Sequence, residues 1–152
     1  ALLKLEAGAY ATRFTAEPWE TAMQRNRRHF QKSYELYQVP GTALGQNYGV
    51  VVDDPVVSNT IHAGIQFPVQ MRGTPTMRIY NPDNGTVDQI RSFHGEGSPV
   101  NKTVSSTRAS SATLQWITLA SSLPTDDRRR MSFEYTADAE LLNPTSSSAN
   151  VT

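Results

Sequence analysis

The sequence has no cysteine, no excess of charge of either sign and no long hydrophobic run. Without cysteine the chain cannot form disulfides, zinc–thiolate sites or iron–sulfur clusters, and it cannot use a thiol nucleophile. Its 14 basic residues balance its 14 acidic residues, so it lacks the surplus of positive charge that is typical of nucleic-acid binders. No apolar run approaches the roughly 20 residues of a membrane span. We therefore expect no nucleic-acid partner and no membrane insertion.

The length and the polar composition indicate one β-rich domain. A chain of 152 residues matches one domain, because domains have roughly 100–200 residues. Serine and threonine supply 30 of these residues, whereas only 18% of the residues are charged. Threonine is β-branched and favours strands over helices, so a surface made polar by hydroxyl groups suits exposed strands. The first residue is alanine and the following residues lack the layout of a signal peptide, so we expect a piece of a longer chain.

One short helix is predicted near the N-terminus. Pro18 suits a first helical position, where its missing N–H would have no partner in any case. Apolar residues recur at helical spacing over 19–26 and give a narrow apolar face. We expect about ten helical residues that end near Arg28, with Ala16 or Glu17 as the N-cap.

Strand-like runs separated by turn residues follow this helix. The clearest turn signal is Asn-Pro-Asp-Asn-Gly at 81–85, since asparagine and glycine tolerate positive φ. Short strands with turn signals every 8–12 residues are typical of a β-sandwich or barrel. The sequence therefore predicts an all-β fold of about eight antiparallel strands. The predicted strands lie within residues 30–39, 49–52, 58–65, 77–80, 87–93, 100–106, 113–119 and 131–139.

Patterns for metal binding are weak in this sequence. His29, His62 and His94 are widely separated and form no His-x-His or His-x3-His pair. Three strands could gather them, or a trimer could place one histidine on its axis, but nothing in the spacing requires either arrangement. Residues 81–88 have oxygen ligands at alternating positions, yet they lack the glutamate that a calcium loop needs at its twelfth position. We predict no metal site and no cofactor.

Patterns for catalysis are equally weak. Residues 95–99 come closest to a Gly-x-Ser-x-Gly motif, but glycine occupies the serine position and proline occupies the last glycine position. A glycosidase would need the fold to join two carboxylates across a cleft, and the adjacent acidic residues occur instead in predicted turns. These acidic residues are Asp53, Asp54, Asp126 and Asp127. We predict no enzymatic activity.

Aromatic and basic residues near predicted loops suggest a surface that binds glycans. Tyr80 ends a predicted strand beside a turn, while Arg91 and His94 lie close to a glycine-rich loop. Trp116 shares its strand parity with Leu114, which favours a place in the core, and the alternative is a platform for the apolar face of a sugar ring. The candidate ligand-binding residues are Tyr80, Arg91, His94 and Trp116.

Four segments in order along the chain resemble a known family. They are residues 4–14 (KLEAGAYATRF), 25–33 (RNRRHFQKS), 67–76 (FPVQMRGTPT) and 133–141 (FEYTADAEL). They resemble the elements LE-G-ATPF, CQRYYQKS, FPV-MR-x-x-PT and ADAEL of C-terminal modules in phage tail-fibre and spike proteins. Asn26 stands where the family often has cysteine, and Arg13 stands where it usually has proline.

The resemblance implies a jelly-roll β-sandwich, like a carbohydrate-binding module, that forms a homotrimer on an exposed fibre or spike of the virion. Residues 1–16 would continue from an upstream domain, 17–141 would form the helix and sandwich, and 142–152 would be a flexible tail. The implied partners are other virion proteins and a bacterial surface polysaccharide. Three copies of a weak site would strengthen attachment by roughly 10² or more. Two alternatives stay open: a capsid-decoration or fibre-assembly module without glycan recognition, and a polysaccharide depolymerase.

Overall fold

The computed structural model describes residues 16–45, 49–54, 59–93, 100–121 and 129–140. Within these residues the chain forms one helix and eight strands, and all paired strands are antiparallel, so the predicted all-β class is confirmed. In chain order the elements are α1 (Trp19–Arg27), β1 (Phe30–Lys32), β2 (Val50–Asp54), β3 (Thr60–Gln66), β4 (Thr76–Tyr80), β5 (Gln89–Phe93), β6 (Val100–Ala109), β7 (Thr113–Leu119) and β8 (Arg129–Asp138).

β8 is the central strand of the sheet. β1 and β4 flank the C-terminal half of β8, and β2 and β5 flank its N-terminal half. From β5 the sheet continues through β6 and β7 to β3. β3 in turn contacts β2, so the sheet curls back towards its own beginning. One strand near the C-terminus therefore organises segments from the whole length of the chain.

The hydrophobic core lies on the inner face of the curled sheet. Ile61, Ile79, Ile90 and Ile117 are fully buried, and each comes from a different strand. Burial of such a side chain stabilises the fold by roughly 1.5–3 kcal/mol. On β8, core residues alternate with Ser132, Glu134 and Thr136, which lie on the outer face and are also buried. The core residues of β8 are Met131, Phe133, Tyr135 and Ala137.

The helix begins and ends close to its predicted bounds but packs differently. Its N-cap is Pro18 rather than Ala16 or Glu17, because the Pro18 carbonyl already accepts a hydrogen bond from the Ala22 N–H at 3.1 Å. No residue of α1 is buried, and Trp19 is 70% exposed. Ala22 and Met23 are half-buried, so the described part of the chain covers the predicted apolar face only in part.

The first strand is shorter than predicted. It ends at Lys32, and the Lys32 ammonium donates hydrogen bonds to the carbonyl oxygens of Leu36 at 2.9 Å and Gln38 at 2.5 Å. These bonds hold the following residues in a turn rather than a strand. Residues 1–15 of the predicted linker and the tail at 142–152 lie outside the described residues. Among the described residues, no helix has the length and apolar character needed to cross a membrane.

Candidate functional site

Strand register assembles a groove on the outer face of β1, β8 and β4. In one row across these strands Phe30, Asp138 and Thr76 are aligned, and in the next row Thr136 is aligned with Arg78. The groove encloses about 480 Å³, a volume within the range of roughly 300–1,000 Å³ that small-molecule sites occupy. We call it the outer groove, and its lining residues are Phe30, Pro40, Thr76, Arg78, Tyr80, Thr136, Asp138 and Glu140.

Aromatic side chains stand towards opposite ends of the outer groove. Phe30, which is 43% exposed, shares a row with Thr76. Tyr80 lies four residues further along β4, so the two aromatic residues are about 13 Å apart in the strand direction. Such rings offer flat apolar surfaces to a ligand that has an apolar face of its own.

Packing behind the groove fixes the position of Tyr80. The ring of Tyr34 contacts the Tyr80 ring edge to face, with 5.9 Å between centroids and 78° between planes. The Tyr34 hydroxyl oxygen accepts a hydrogen bond from the Gly41 N–H at 3.0 Å. Burial raises the pKa of Tyr34, and the Gly41 hydrogen bond partly offsets this rise. Tyr80 is therefore held against a buried neighbour, which lowers the entropy cost of binding a ligand to it.

The polar groups of the outer groove are suited to hydrogen bonding. Arg78 is exposed, and within the described part of the chain no hydrogen bond or ion pair engages its guanidinium group. Asp138 Oδ1 accepts the Glu140 N–H at 2.9 Å, which places both carboxylates at the Phe30 end. Thr136 forms the buried floor between β1 and β4. The groove thus offers five guanidinium donors beside hydroxyl and carboxylate acceptors.

One wall of the groove depends on contact between two glycine-containing segments. Leu44 and Gly45 donate backbone hydrogen bonds to the Pro82 carbonyl oxygen at 2.8 and 3.1 Å. Gly85 has a φ of +71°, and its Cα lies so near Gly41 that any Cβ would overlap the Gly41 carbonyl group. This contact fixes the loop that contributes Pro40 to the groove.

A buried carboxyl group lies next to the groove. Glu134 is aligned with Tyr80, is 3% exposed and accepts a hydrogen bond from the Ser33 hydroxyl. Burial raises the pKa of Glu134, and the Ser33 hydrogen bond opposes this rise. Burial also raises the pKa of Tyr135, with a further contribution from the Glu134 charge. Ser33 Oγ in turn accepts the Tyr135 N–H at 2.7 Å, so this cluster fastens the chain after β1 to β8.

The described carboxylates do not form a catalytic pair in the groove. Asp138 and Glu140 occupy the same end, whereas a glycosidase places two carboxylates on opposite sides of the bond that it cleaves. Within the described residues, no group of three or more histidine, aspartate or glutamate side chains could hold a metal ion. Asp126, Asp127 and the glycine-rich residues 95–99 lie outside the described residues.

The structure places Tyr80, Arg91 and Trp116 in three different surroundings. Tyr80 lines the outer groove, while His94 lies outside the described residues. Arg91 is 1% exposed; it forms an ion pair with Asp83, and its guanidinium carbon lies 4.7 Å from the centroid of the Phe93 ring. Arg91 thereby anchors the turn after β4 to β5, away from the groove lining.

Trp116 does not occupy the core position that its parity favoured. Leu114 is fully buried. Arg108 pairs with Trp116 and the next residue, Ala109, pairs with Leu114, so the register between β6 and β7 shifts by one residue at this point. A bulge of this kind breaks the alternation of faces. Trp116 is consequently half-buried on the outer face, alternating with the core residue Ile117.

Most of the groove was missed by sequence reasoning. Phe30, Arg78 and Asp138 come from three strands that are distant in sequence, and only the register of β8 aligns them. The available signal was the alternation in Thr76–Tyr80, where exposed polar residues alternate with Met77 and Ile79.

Comparison with known proteins identifies no relative of this chain. No family model, no curated protein and no solved structure matches it.

Proposed function

We propose that this chain is a glycan-binding module and that the outer groove binds a short segment of a polysaccharide. The observation that carries this proposal is the combination in one groove of two separated aromatic rings with an unengaged arginine, hydroxyl groups and carboxylates. A sugar ring has apolar C–H faces and a rim of hydroxyl groups, so it needs aromatic surfaces and in-plane hydrogen-bonding partners together. The volume of the groove limits the bound segment to a few sugar units.

The biological setting that we propose follows the motif resemblance. We infer that the chain is a C-terminal module of a phage tail fibre or spike that attaches the virion to a bacterial surface glycan, and that its curled sheet belongs to a trimeric jelly-roll sandwich. The described antiparallel sheet with one short helix supports this fold assignment. The zero net charge of the chain also suits selective attachment, because it limits nonspecific electrostatic adhesion.

The test is binding of the purified chain to an array of bacterial surface glycans, followed by titration of the best glycan against variants of the groove. Tyr80→Ala removes one aromatic surface, and Arg78→Gln removes the guanidinium donors while leaving an exposed polar side chain. We expect each variant to bind at least about tenfold more weakly, since loss of a central aromatic or arginine contact commonly costs more than 1 kcal/mol.

Arg72→Gln is the matched control, because Arg72 is exposed and does not line the groove. Thermal melting of each variant separates a binding defect from unfolding, and Arg78→Gln decides the outcome if Tyr80→Ala is unstable. The proposal is wrong if the native chain binds no glycan, or if folded Arg78→Gln and Tyr80→Ala bind as tightly as the native chain.

A second candidate function is assembly without glycan recognition. Five large apolar side chains are exposed in the region from α1 to the loop after β1, which is the composition of an interaction surface. They are Trp19, Phe30, Leu36, Tyr37 and Val39, of which Tyr37 is 94% exposed. We infer that this surface packs against other copies in a trimer or against a neighbouring virion protein. Oligomer formation with no glycan binding would favour this function over attachment.

A further inference from the structure

Strands β6, β7 and β3, at the end of the sheet away from the outer groove, differ in charge from the rest of the chain. The chain as a whole has as many acidic as basic residues. β3, β6 and β7 together contain two charged residues, Lys102 and Arg108, and no aspartate or glutamate. These strands therefore form a sheet region whose formal charges all have one sign.

Strand register gathers part of this charge around Trp116. His62 is aligned with Trp116 across β3 and β7, and Arg108 is aligned with Trp116 across β7 and β6. We call these three side chains the cationic row. Thr60, Thr118 and Ser106 form the adjacent row and add hydroxyl groups.

The cationic row faces outward from the core. Ile117 and Leu119 are fully buried and alternate with Trp116 and Thr118, so the latter two lie on the opposite face of β7. His62 and Arg108 are exposed, and Trp116 is half-buried between them. A ligand in solvent can therefore reach all three side chains.

The indole ring holds the Arg108 guanidinium group in place. The guanidinium carbon lies 4.4 Å from the centroid of the Trp116 ring, within the distance of a cation–π interaction. A cation–π contact uses the face of the aromatic ring and consumes none of the N–H donors of the guanidinium group. Among the described residues, no carboxylate forms an ion pair with Arg108. The arginine is thus pre-organised and retains its donors for an external acceptor.

We propose that the cationic row is a second binding site, which takes the acidic substituents of a polysaccharide. A planar guanidinium group binds a carboxylate, sulfate or phosphate through two parallel hydrogen bonds. Trp116 adds an apolar surface for the sugar that bears the acidic group. A single arginine charge matches a polymer whose charges are sparse, whereas nucleic-acid binding relies on many neutralised phosphates.

This site differs from the outer groove in both position and charge. The outer groove lies on β1, β8 and β4 and contains Asp138 and Glu140, which would repel an acidic substituent. The cationic row lies on strands that do not border this groove. Because different residues carry the two proposals, either can fail while the other holds.

Trp116 itself provides the signal for a test. The chain contains two tryptophans, and Trp19→Phe changes the exposed one, so Trp116 becomes the only tryptophan emitter. The probes are dextran sulfate, polygalacturonate and uncharged dextran, each titrated at low ionic strength. We expect a saturable change in emission with dextran sulfate, polygalacturonate or both, weakened by added salt, and no change with dextran. The response to each acidic polymer identifies whether sulfate or carboxylate is preferred.

Substitution of Arg108 separates this site from nonspecific attraction. We expect Arg108→Gln to weaken binding at least tenfold, Arg108→Lys to fall between it and the parent, and Arg72→Gln, which changes an exposed arginine outside both sites, to match the parent. Thermal melting confirms that each variant is folded, and Arg108→Lys decides the outcome if Arg108→Gln unfolds. The proposal is overturned if neither acidic polymer gives a saturable response, if the Arg108 variants bind like Arg72→Gln, or if single-stranded DNA binds more tightly than both polymers.

Discussion

Contact between Gly85 and Gly41 makes the wall of the outer groove sensitive to a single methyl group. A Cβ atom added to Gly85 would lie 1.8 Å from the Gly41 carbonyl oxygen and 2.8 Å from its carbonyl carbon. Both are backbone atoms, so neither can rotate away as the end of a side chain could. Gly85→Ala must therefore push the 81–85 turn away from the loop that follows β1. This shift strains the two hydrogen bonds that Leu44 and Gly45 of that loop donate to the Pro82 carbonyl oxygen.

Three costs combine in Gly85→Ala. A φ of +71° costs a residue other than glycine about 1–2 kcal/mol. Overpacking of a tight contact costs about 1–3 kcal/mol, and weakening of two backbone hydrogen bonds adds to this loss. We expect the free energy of unfolding to fall by about 3 kcal/mol or more, which lowers Tm by about 6–12 °C or more in a domain of this size.

Gly45→Ala is the matched control. Gly45 lies with Gly41 in the loop that follows β1 and has a φ of +89°, but an added Cβ would meet no atom within 4 Å. Gly45→Ala should lower the free energy of unfolding only by the cost of the positive φ, about 1–2 kcal/mol. Urea denaturation followed by tryptophan emission measures both variants. Equal losses of stability in Gly85→Ala and Gly45→Ala would refute the argument that the two backbones are in forced contact.

Two further predictions concern pH and assembly. Because burial raises the pKa of Glu134, the native chain keeps a proton that the unfolded chain releases, and its stability should fall as pH rises from the ordinary glutamate value through the raised one. Glu134 can change the free energy of unfolding by at most about 1.4 kcal/mol per pH unit. Denaturation curves of Glu134→Gln, measured over this pH range, should show a weaker dependence of stability on pH than those of the native chain. An unchanged dependence would exclude Glu134 as its source. If the exposed apolar surface mediates assembly, light scattering should give three times the chain mass of 16.8 kDa for the native chain and a smaller mass for Tyr37→Ser. A native monomer, or an unchanged mass for the variant, would count against that role.

Local patterns predicted the strands well. Turn residues such as those at 81–85 bound the strands, and alternation within β4 and β8 distinguishes the core face from the outer face. The eight predicted strands correspond to the eight observed ones, because strand formation and termination here depend on neighbours in sequence. The short helix was predictable for the same reason, although its exposed Trp19 shows that helical spacing alone does not determine what covers a face.

Register limited the prediction of binding residues. Tyr80 was singled out because it stands beside a recognisable turn, but Arg78 and Asp138, which line the same groove, carry no local sign of it. Arg91 is of a residue type that often contacts ligands, yet the fold buries it against Asp83. Trp116 lies on the outer face because a bulge shifts the faces of β7, and a bulge is set by pairing with another strand.

The sequence by itself determined the all-β class, the approximate bounds of the elements and the absence of cysteine chemistry, since these follow from composition and from patterns within a few residues. Only the tertiary structure decided which side chains meet. β8 aligns Phe30 with Thr76 through Asp138, and β7 aligns His62 with Arg108 through Trp116. Because side chains alternate between the faces of a strand, a shift of one residue in any of these pairings would place them on the other face.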